Sequence, residues 1–274
     1  MNMKRLSYPY FLWMILFIIV PLLLIVFFAF TMDGAEEITF TLENFERFFE
    51  GKYLDILLIS LSLAVKATII CLILGYPLAY IIANEKSNVR NVLIFLLVIP
   101  MWMNFLLRTY AWLSLLGKNG IINSVLASLG FSKLNLIYND TAVLLGMVYN
   151  YLPFMVLPIY SVLIKIDKSL IEAAEDLGAN RFKVFGKVIF PLSIEGVITG
   201  ITMVFMPAMS TFVISRLLGG GQYLLIGNLI EQQYLWVGDW NFGSSISVIM
   251  MVLIIITMAI TNRVGKRFGG NINE

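Results

Sequence analysis

The chain has 274 residues, 59% of them hydrophobic and 13% charged, with a net charge of +2 and no histidine. A soluble domain carries about 45–50% apolar and about 25% charged residues, so a soluble globular enzyme and a disordered chain are both excluded. With Cys71 as the lone cysteine, Cys/His zinc clusters, His-dependent acid–base chemistry and an intrachain disulfide are excluded too, and so small a charge leaves no footprint for nucleic acid.

Crossing about 30 Å of hydrocarbon takes about 20 apolar residues of helix. Six runs meet this in chain order: 9–31, 56–83, 92–116, 141–164, 196–216 and 241–262. None alternates with period two, which argues against a β-barrel. The first follows Lys4 and Arg5 but is too long for a signal-peptide core and has no small-x-small cleavage site, so it reads as a retained anchor. Between the first two spans, Thr41 is placed to cap a short helix with Leu42, Phe45 and Phe48 on one face. A second short helix is expected over 121–129, stopped by Gly130. After the fifth span Gly219-Gly220-Gly221 marks a sharp break, and 224–237 reads as an interfacial helix. Prolines 77, 100, 153, 158 and 207 each remove a helix hydrogen bond, and the resulting kinks suit a bundle that rocks between states.

The distribution of Lys and Arg sets the orientation. With both termini cytoplasmic, the inside segments hold twelve basic residues and the outside loops four: Arg47, Lys52, Lys118 and Lys133. The whole chain therefore reads as one all-α integral membrane domain, 1–274, with six transmembrane helices.

The longest inside segment, 165–193, is also the richest in charge. Asp167 is placed to cap a helix with Leu170, Ile171 and Ala174 as its apolar stripe. Gly178 supplies a turn, Arg181 starts a second short helix, and Pro191 closes the loop. Spacing alone fits a helical hairpin lying on the membrane surface.

Glu172-Ala173-Ala174, then Gly178, then Pro191 match the pattern EAA-x3-G-x9-I-x-L-P, with Val188 and Phe190 in place of the Ile and Leu. The chain thereby resembles the permeases of binding-protein-dependent ABC importers. Leu74 to Ala79, Val98 to Trp102, Leu152 to Met155 and Leu224 to Asn228 narrow the likeness to the spermidine/putrescine branch of that family. The resemblance implies a type I importer permease (MetI-like) fold, in which the loop docks on a cytoplasmic ATPase through Glu172, Ala173, Ala174, Gly178, Arg181 and Pro191. It also implies a second permease subunit, two ATPase subunits that use ATP-Mg, and an extracellular or periplasmic polyamine-binding protein. No cofactor or metal is expected on this chain, and no catalytic residue. An importer for another small solute, an amino acid or a different organic cation, is the alternative. A membrane-embedded enzyme lacks its acid–base residues here. A secondary carrier commonly shows inverted repeats and needs no such loop.

A polycation needs carboxylates or aromatic faces along its path. The outer loops hold ten acids, among them Glu36 and Glu37, against their four bases. Glu231, Trp236, Asp239 and Trp240 cluster before the last span in a loop without Lys or Arg, and with Trp102 and Tyr110 they form a candidate external entrance, while Tyr149 is a further candidate path residue. Lys66, deep in the second span, is expected to face away from a cationic path or to bond a backbone carbonyl. Arg108 and Arg216 are placed near the outer interface, where long side chains snorkel, and read first as structural.

Overall fold

The computed structural model describes residues 8–33 and 38–269; Lys4, Arg5, Glu36 and Glu37 lie outside them. Five helices among the described residues are long and apolar enough to cross a membrane, and a bent helix pair counted as one span brings the number to six. The chain runs α1 (Pro9–Ala29), β1 (Thr31–Asp33), β2 (Ile38–Phe40), α2 (Glu43–Phe48), α3 (Gly51–Asn84) and α4 (Ser87–Trp102). It continues through α5 (Phe105–Leu116), α6 (Ile121–Ser128), α7 (Asp140–Leu163), α8 (Lys168–Asp176) and α9 (Arg181–Ser210). Last come α10 (Val213–Leu218), α11 (Ile226–Gln232) and α12 (Trp240–Gly269).

The bundle is organised around α7, flanked by α3 and α9. Helix association in lipid gains nothing from hydrophobic exclusion, so small residues that let backbones approach become the contact points. Gly75 of α3 faces the Met155 side chain, and Gly196 and Gly200 of α9 lie against the backbone of Pro158, Ile159 and Met155. Met155, Val156 and Ile159 are fully buried as a result. The first span, α1, stays at the rim and packs along α12.

Several expected helix boundaries are corrected. The third span is not one helix over 92–116: α4 and the helical stretch after it meet at 93°. Asn104 restarts the helix, its Oδ1 accepting from Leu106 N–H at 2.9 Å and Leu107 N–H at 3.4 Å. The helix that carries the fifth span begins at Arg181, upstream of 196, because it passes through Pro191. A wide π turn over Phe185–Ile189, in which Phe190 N–H reaches back to Phe185 O, absorbs the proline. Its outer end is shorter than 216, breaking at Thr211 and Phe212 before α10. The first outer loop holds an antiparallel ribbon in which Thr31 pairs with Phe40 and Asp33 with Ile38. Three residues per strand are too few to show an alternating pattern.

The stretch 224–237 is not an interfacial helix either. Leu225 and Ile226 are fully buried, and Ile226 N–H donates to Ser60 Oγ at 2.8 Å. Ser60 lies nine residues inside α3, about 14 Å below its outer end. After α9 the chain climbs through α10 to Gly220, which abuts Tyr138, and then dips back into the outer half of the bundle before α11. Asn228 holds this re-entrant segment together: Oδ1 accepts from Ser215 Oγ and Leu225 N–H, and Nδ2 donates to Phe212 O.

Reporter fusions at Asn119 and Gly221 should read outside and one at Asn180 inside; the reverse would invert the bundle. The packing has its own test. A Cβ at position 196 would stand 2.8 Å from Pro158 O, whereas one at 186 meets nothing within 4 Å. Gly196→Ala should destabilise the purified protein by about 1–3 kcal/mol, read as a lower melting temperature in detergent. Gly186→Ala, in the same helix, should be neutral or slightly stabilising.

Candidate functional site

The cytoplasmic loop forms from local rules. Asp167 caps α8, its Oδ1 accepting from Ser169 N–H at 2.9 Å. Those Ser169 hydrogen bonds hold the Asp167 carboxyl below the usual carboxylate range. The cap is therefore in place above that range and is lost as pH falls through the lowered value. At the other end Gly178, at φ +81°, lets Gly178 N–H reach Glu175 O and Ala179 N–H reach Ala174 O. Asn180 then caps α9 by accepting from Lys183 N–H at 3.0 Å. What was expected as a second short helix is thus the first turn of the fifth span.

Ile171 and Ala174 pack inward, while Glu172, Ala173, Gly178 and Arg181 are exposed. Leu177 and Phe182 stand out from the loop at 89% exposure each. Pro191 is exposed two residues beyond the π turn. An aromatic cluster ties this helix start to α3: Phe185 packs on Tyr76 and Tyr80, with centroids 5.7 Å away in each case, and Tyr76 Oη meets Ser193 Oγ at 2.7 Å. Glu172, Glu175 and Lys168 also line a cavity of about 370 Å³ that faces Glu85 and Arg90 across the α3–α4 turn. Packed side chains thus connect the start of α9 to α3, and α8 lies beside them across the cavity.

The outer candidates do not form a single site. Asp239 is committed twice: Oδ1 accepts from Phe242 N–H and caps α12, and Oδ2 pairs with Arg47 at 2.7 Å. Trp240 packs edge-on against Tyr234 and Phe28. Glu231 pairs with Arg216 at 3.0 Å and shares a cavity of about 330 Å³ with Tyr223 and Trp236. Trp102 is exposed beside Phe95, Tyr110 is exposed on α5, and Tyr149 packs edge-on against Trp112 at 5.3 Å. A loop without bases had suggested unpaired acids, but both acids take arginines from elsewhere, 192 and 15 residues away. Spacing carries no sign of the first; the triple-glycine turn that folds α10 back beside α11 is the sign of the second.

Charges within the spans separate in the same way. Lys66 is exposed on the outer face of α3, turned from the core. Arg108 is not a snorkelling residue at a span end: the bend at Asn104 puts it in the first turn of α5, where it is only 9% exposed. Its Nε and Nη1 have no hydrogen-bond partner among the described residues.

Residues 1–270 match the family described as binding-protein-dependent transport system inner membrane component. Over 246 residues the chain is 42% identical to the spermidine/putrescine transport system permease protein PotB of Escherichia coli K12, covering 88% of this chain and 90% of that one. The PotB protein of Haemophilus influenzae is 40% identical, over 93% and 91% of the two chains. Among solved structures, a bacterial ABC transporter that imports the acidic polysaccharide alginate superposes with a TM-score of 0.82 at 15% identity, over 99% and 96% of the chains. That identity carries the fold and nothing finer.

The double commitment of Asp239 gives a graded expectation. Asp239→Asn keeps an acceptor for the cap and loses a partly exposed ion pair, a loss of at most about 1 kcal/mol. Asp239→Ala loses the cap as well and should destabilise by about 1–2 kcal/mol. Melting of the two variants in detergent checks the order.

Proposed function

Because the chain belongs to the family of binding-protein-dependent transport system inner membrane components, we propose that it serves the import of polyamines of the spermidine and putrescine class. It is a multi-pass inner-membrane permease subunit of an ABC transporter and is not itself catalytic. The observation that carries the substrate class is the 42% identity to a spermidine/putrescine permease, spread over nearly the full length of both chains.

In this reading the chain forms the translocation path with a second permease subunit. A polyamine-binding protein delivers substrate on the outside, and two ATPase subunits consume ATP-Mg on the inside. The loop from Glu172 to Pro191 is the coupling element. Leu177 and Phe182 offer apolar tips to a cleft in the ATPase, where burying such side chains contributes about 1.5–3 kcal/mol each, and Glu172 and Arg181 offer charged contacts. Ala173, small and exposed, lets the docking surface approach closely. Trp102, Tyr110, Tyr149, Trp236 and Trp240 are the aromatic candidates for the path, each face able to hold an ammonium with about 0.5–2 kcal/mol. Such weak contacts suit a subunit that must release its cargo. Asp239 is the weakest member of the proposed entrance, because the α12 cap and Arg47 already occupy it.

Uptake of radiolabelled putrescine and spermidine by cells that carry this subunit with its partners as their sole polyamine importer tests the assignment. Competition by unlabelled polyamines and none by amino acids is expected; the opposite pattern would favour the importer of another solute. The coupling role is tested at Gly178. A Cβ there meets no atom within 4 Å, so only the left-handed backbone resists substitution. Gly178→Val should insert in the membrane yet lose most uptake and substrate-stimulated ATP hydrolysis, while Gly178→Asn, which tolerates that conformation, keeps them. Normal transport by Gly178→Val would remove the loop from the coupling path.

A further inference from the structure

Two cavities of the outer half meet at one side chain. The first, about 330 Å³, is lined by Arg216, Tyr223, Gln232 and Trp236; the second, about 490 Å³ and almost wholly apolar, lies between Leu22 and Ile25 of α1, Phe212, and Met250 and Ile254 of α12. Both fall in the range of about 300–1,000 Å³ typical of small-molecule sites. Glu231 lines both. It stands where an aromatic, water-facing chamber gives way to an apolar one.

The ion pair at this junction is lopsided. The Glu231 side chain is 16% exposed and that of Arg216 48%. The carboxylate is held in place by α11, while the guanidinium reaches it from the rim over the ring of Phe212, 5.9 Å away. Arg216 supplies the cation paired with Glu231 among the described residues. A guanidinium half in water can swing away at little cost, whereas the more enclosed carboxylate regains a charge partner only from another cation. The pair can therefore be exchanged from one side only, and only by another cation.

We propose that Glu231 is the outer acceptor for a substrate ammonium and that Arg216 is its resident counter-ion, displaced when the polyamine arrives and restored when it leaves. This rests on the polyamine reading above. Trp236 and Tyr223 flank the incoming ammonium in the first chamber, and the second chamber suits the methylene chain that follows. A neutral solute cannot replace Arg216, so the exchange selects for cations, and Arg216 keeps the passage closed by charge when substrate is absent.

The test is putrescine uptake kinetics in the assembled importer, with membrane abundance and basal ATP hydrolysis measured beside it. Glu231→Gln should raise the KM by about tenfold or more, with membrane abundance retained. Arg216→Gln should leave the KM unchanged or lower it, since the competing cation is gone. A purely structural pair would behave otherwise: the two single variants would lose uptake alike, and the exchanged double variant Arg216→Glu with Glu231→Arg would recover it. Either of those results, or a KM within about twofold of wild type in Glu231→Gln, would overturn the proposal. Failure of the wild-type importer to take up any polyamine would instead overturn the substrate reading on which it stands.

Discussion

The close approach of α3, α7 and α9 is the constraint on which the remaining structure depends. In lipid, helices gain nothing by hiding apolar surface from one another, so contact has to come from dispersion and from backbone proximity. Gly75, Gly196 and Gly200 provide that proximity around Met155 and Ile159, and a methyl group at position 196 would already collide with the Pro158 carbonyl. Because the backbones touch, α7 cannot slide past α9 in small increments. In the proposed coupling, movement at the cytoplasmic start of α9 would shift the three helices together. The prolines of α3 and α7 sit inside these helices, Pro153 buried in the bundle and Pro77 on an exposed face.

Outside this core the polypeptide departs from straight helices, and buried asparagines meet the hydrogen-bonding demand that results. Asn44 and Asn241 both donate to Thr31 O, Asn123 bridges Gly117, Leu134 and the start of the loop before α7, and Asn228 closes the re-entrant turn. An unpaired backbone group at such depth costs several kcal/mol, on the order of the stability of a small domain, so each irregular segment needs a dedicated partner. Asparagine supplies a donor and an acceptor on one short stem and therefore replaces a stretch of missing ladder.

The two kinds of feature differ in how far the sequence discloses them. Span number and the family resemblance followed from composition, charge asymmetry and the Glu172 to Pro191 pattern, because bilayer thickness and positive loops act on local stretches of chain. The caps at Asp167 and Asn180 and the turn at Gly178 are local too. The bend after α4 was hidden: Asn104 lies in an apolar run whose hydropathy continues on both sides, and the cap shows only as a short polar residue after Trp102-Met103. Passage of α9 through Pro191 was misread because a π turn defeats the rule that proline ends a helix. Burial of Leu225 and Ile226 depends on Ser60, 166 residues from Ile226, and the Arg47–Asp239 pair joins residues 192 apart. Such contacts exist only once the fold does.

The placement of charge then separates the two ends of the subunit by task. Among the described residues the ion pairs, Arg47–Asp239 and Arg216–Glu231, both belong to the outer half. Each fastens a segment that closes the bundle from that side: one holds α2 to the start of α12, the other holds α10 to α11. The cytoplasmic loop is built in the opposite way. Glu172, Arg181, Lys183 and Lys187 are exposed, and no ion pair forms among them. Ions already paired within the chain would have to be separated before a partner could use them, whereas solvated ions lose only water. Paired charge therefore suits the end proposed to exchange its counter-ion for a cation, and unpaired charge beside Leu177 and Phe182 suits the end proposed to dock the ATPase.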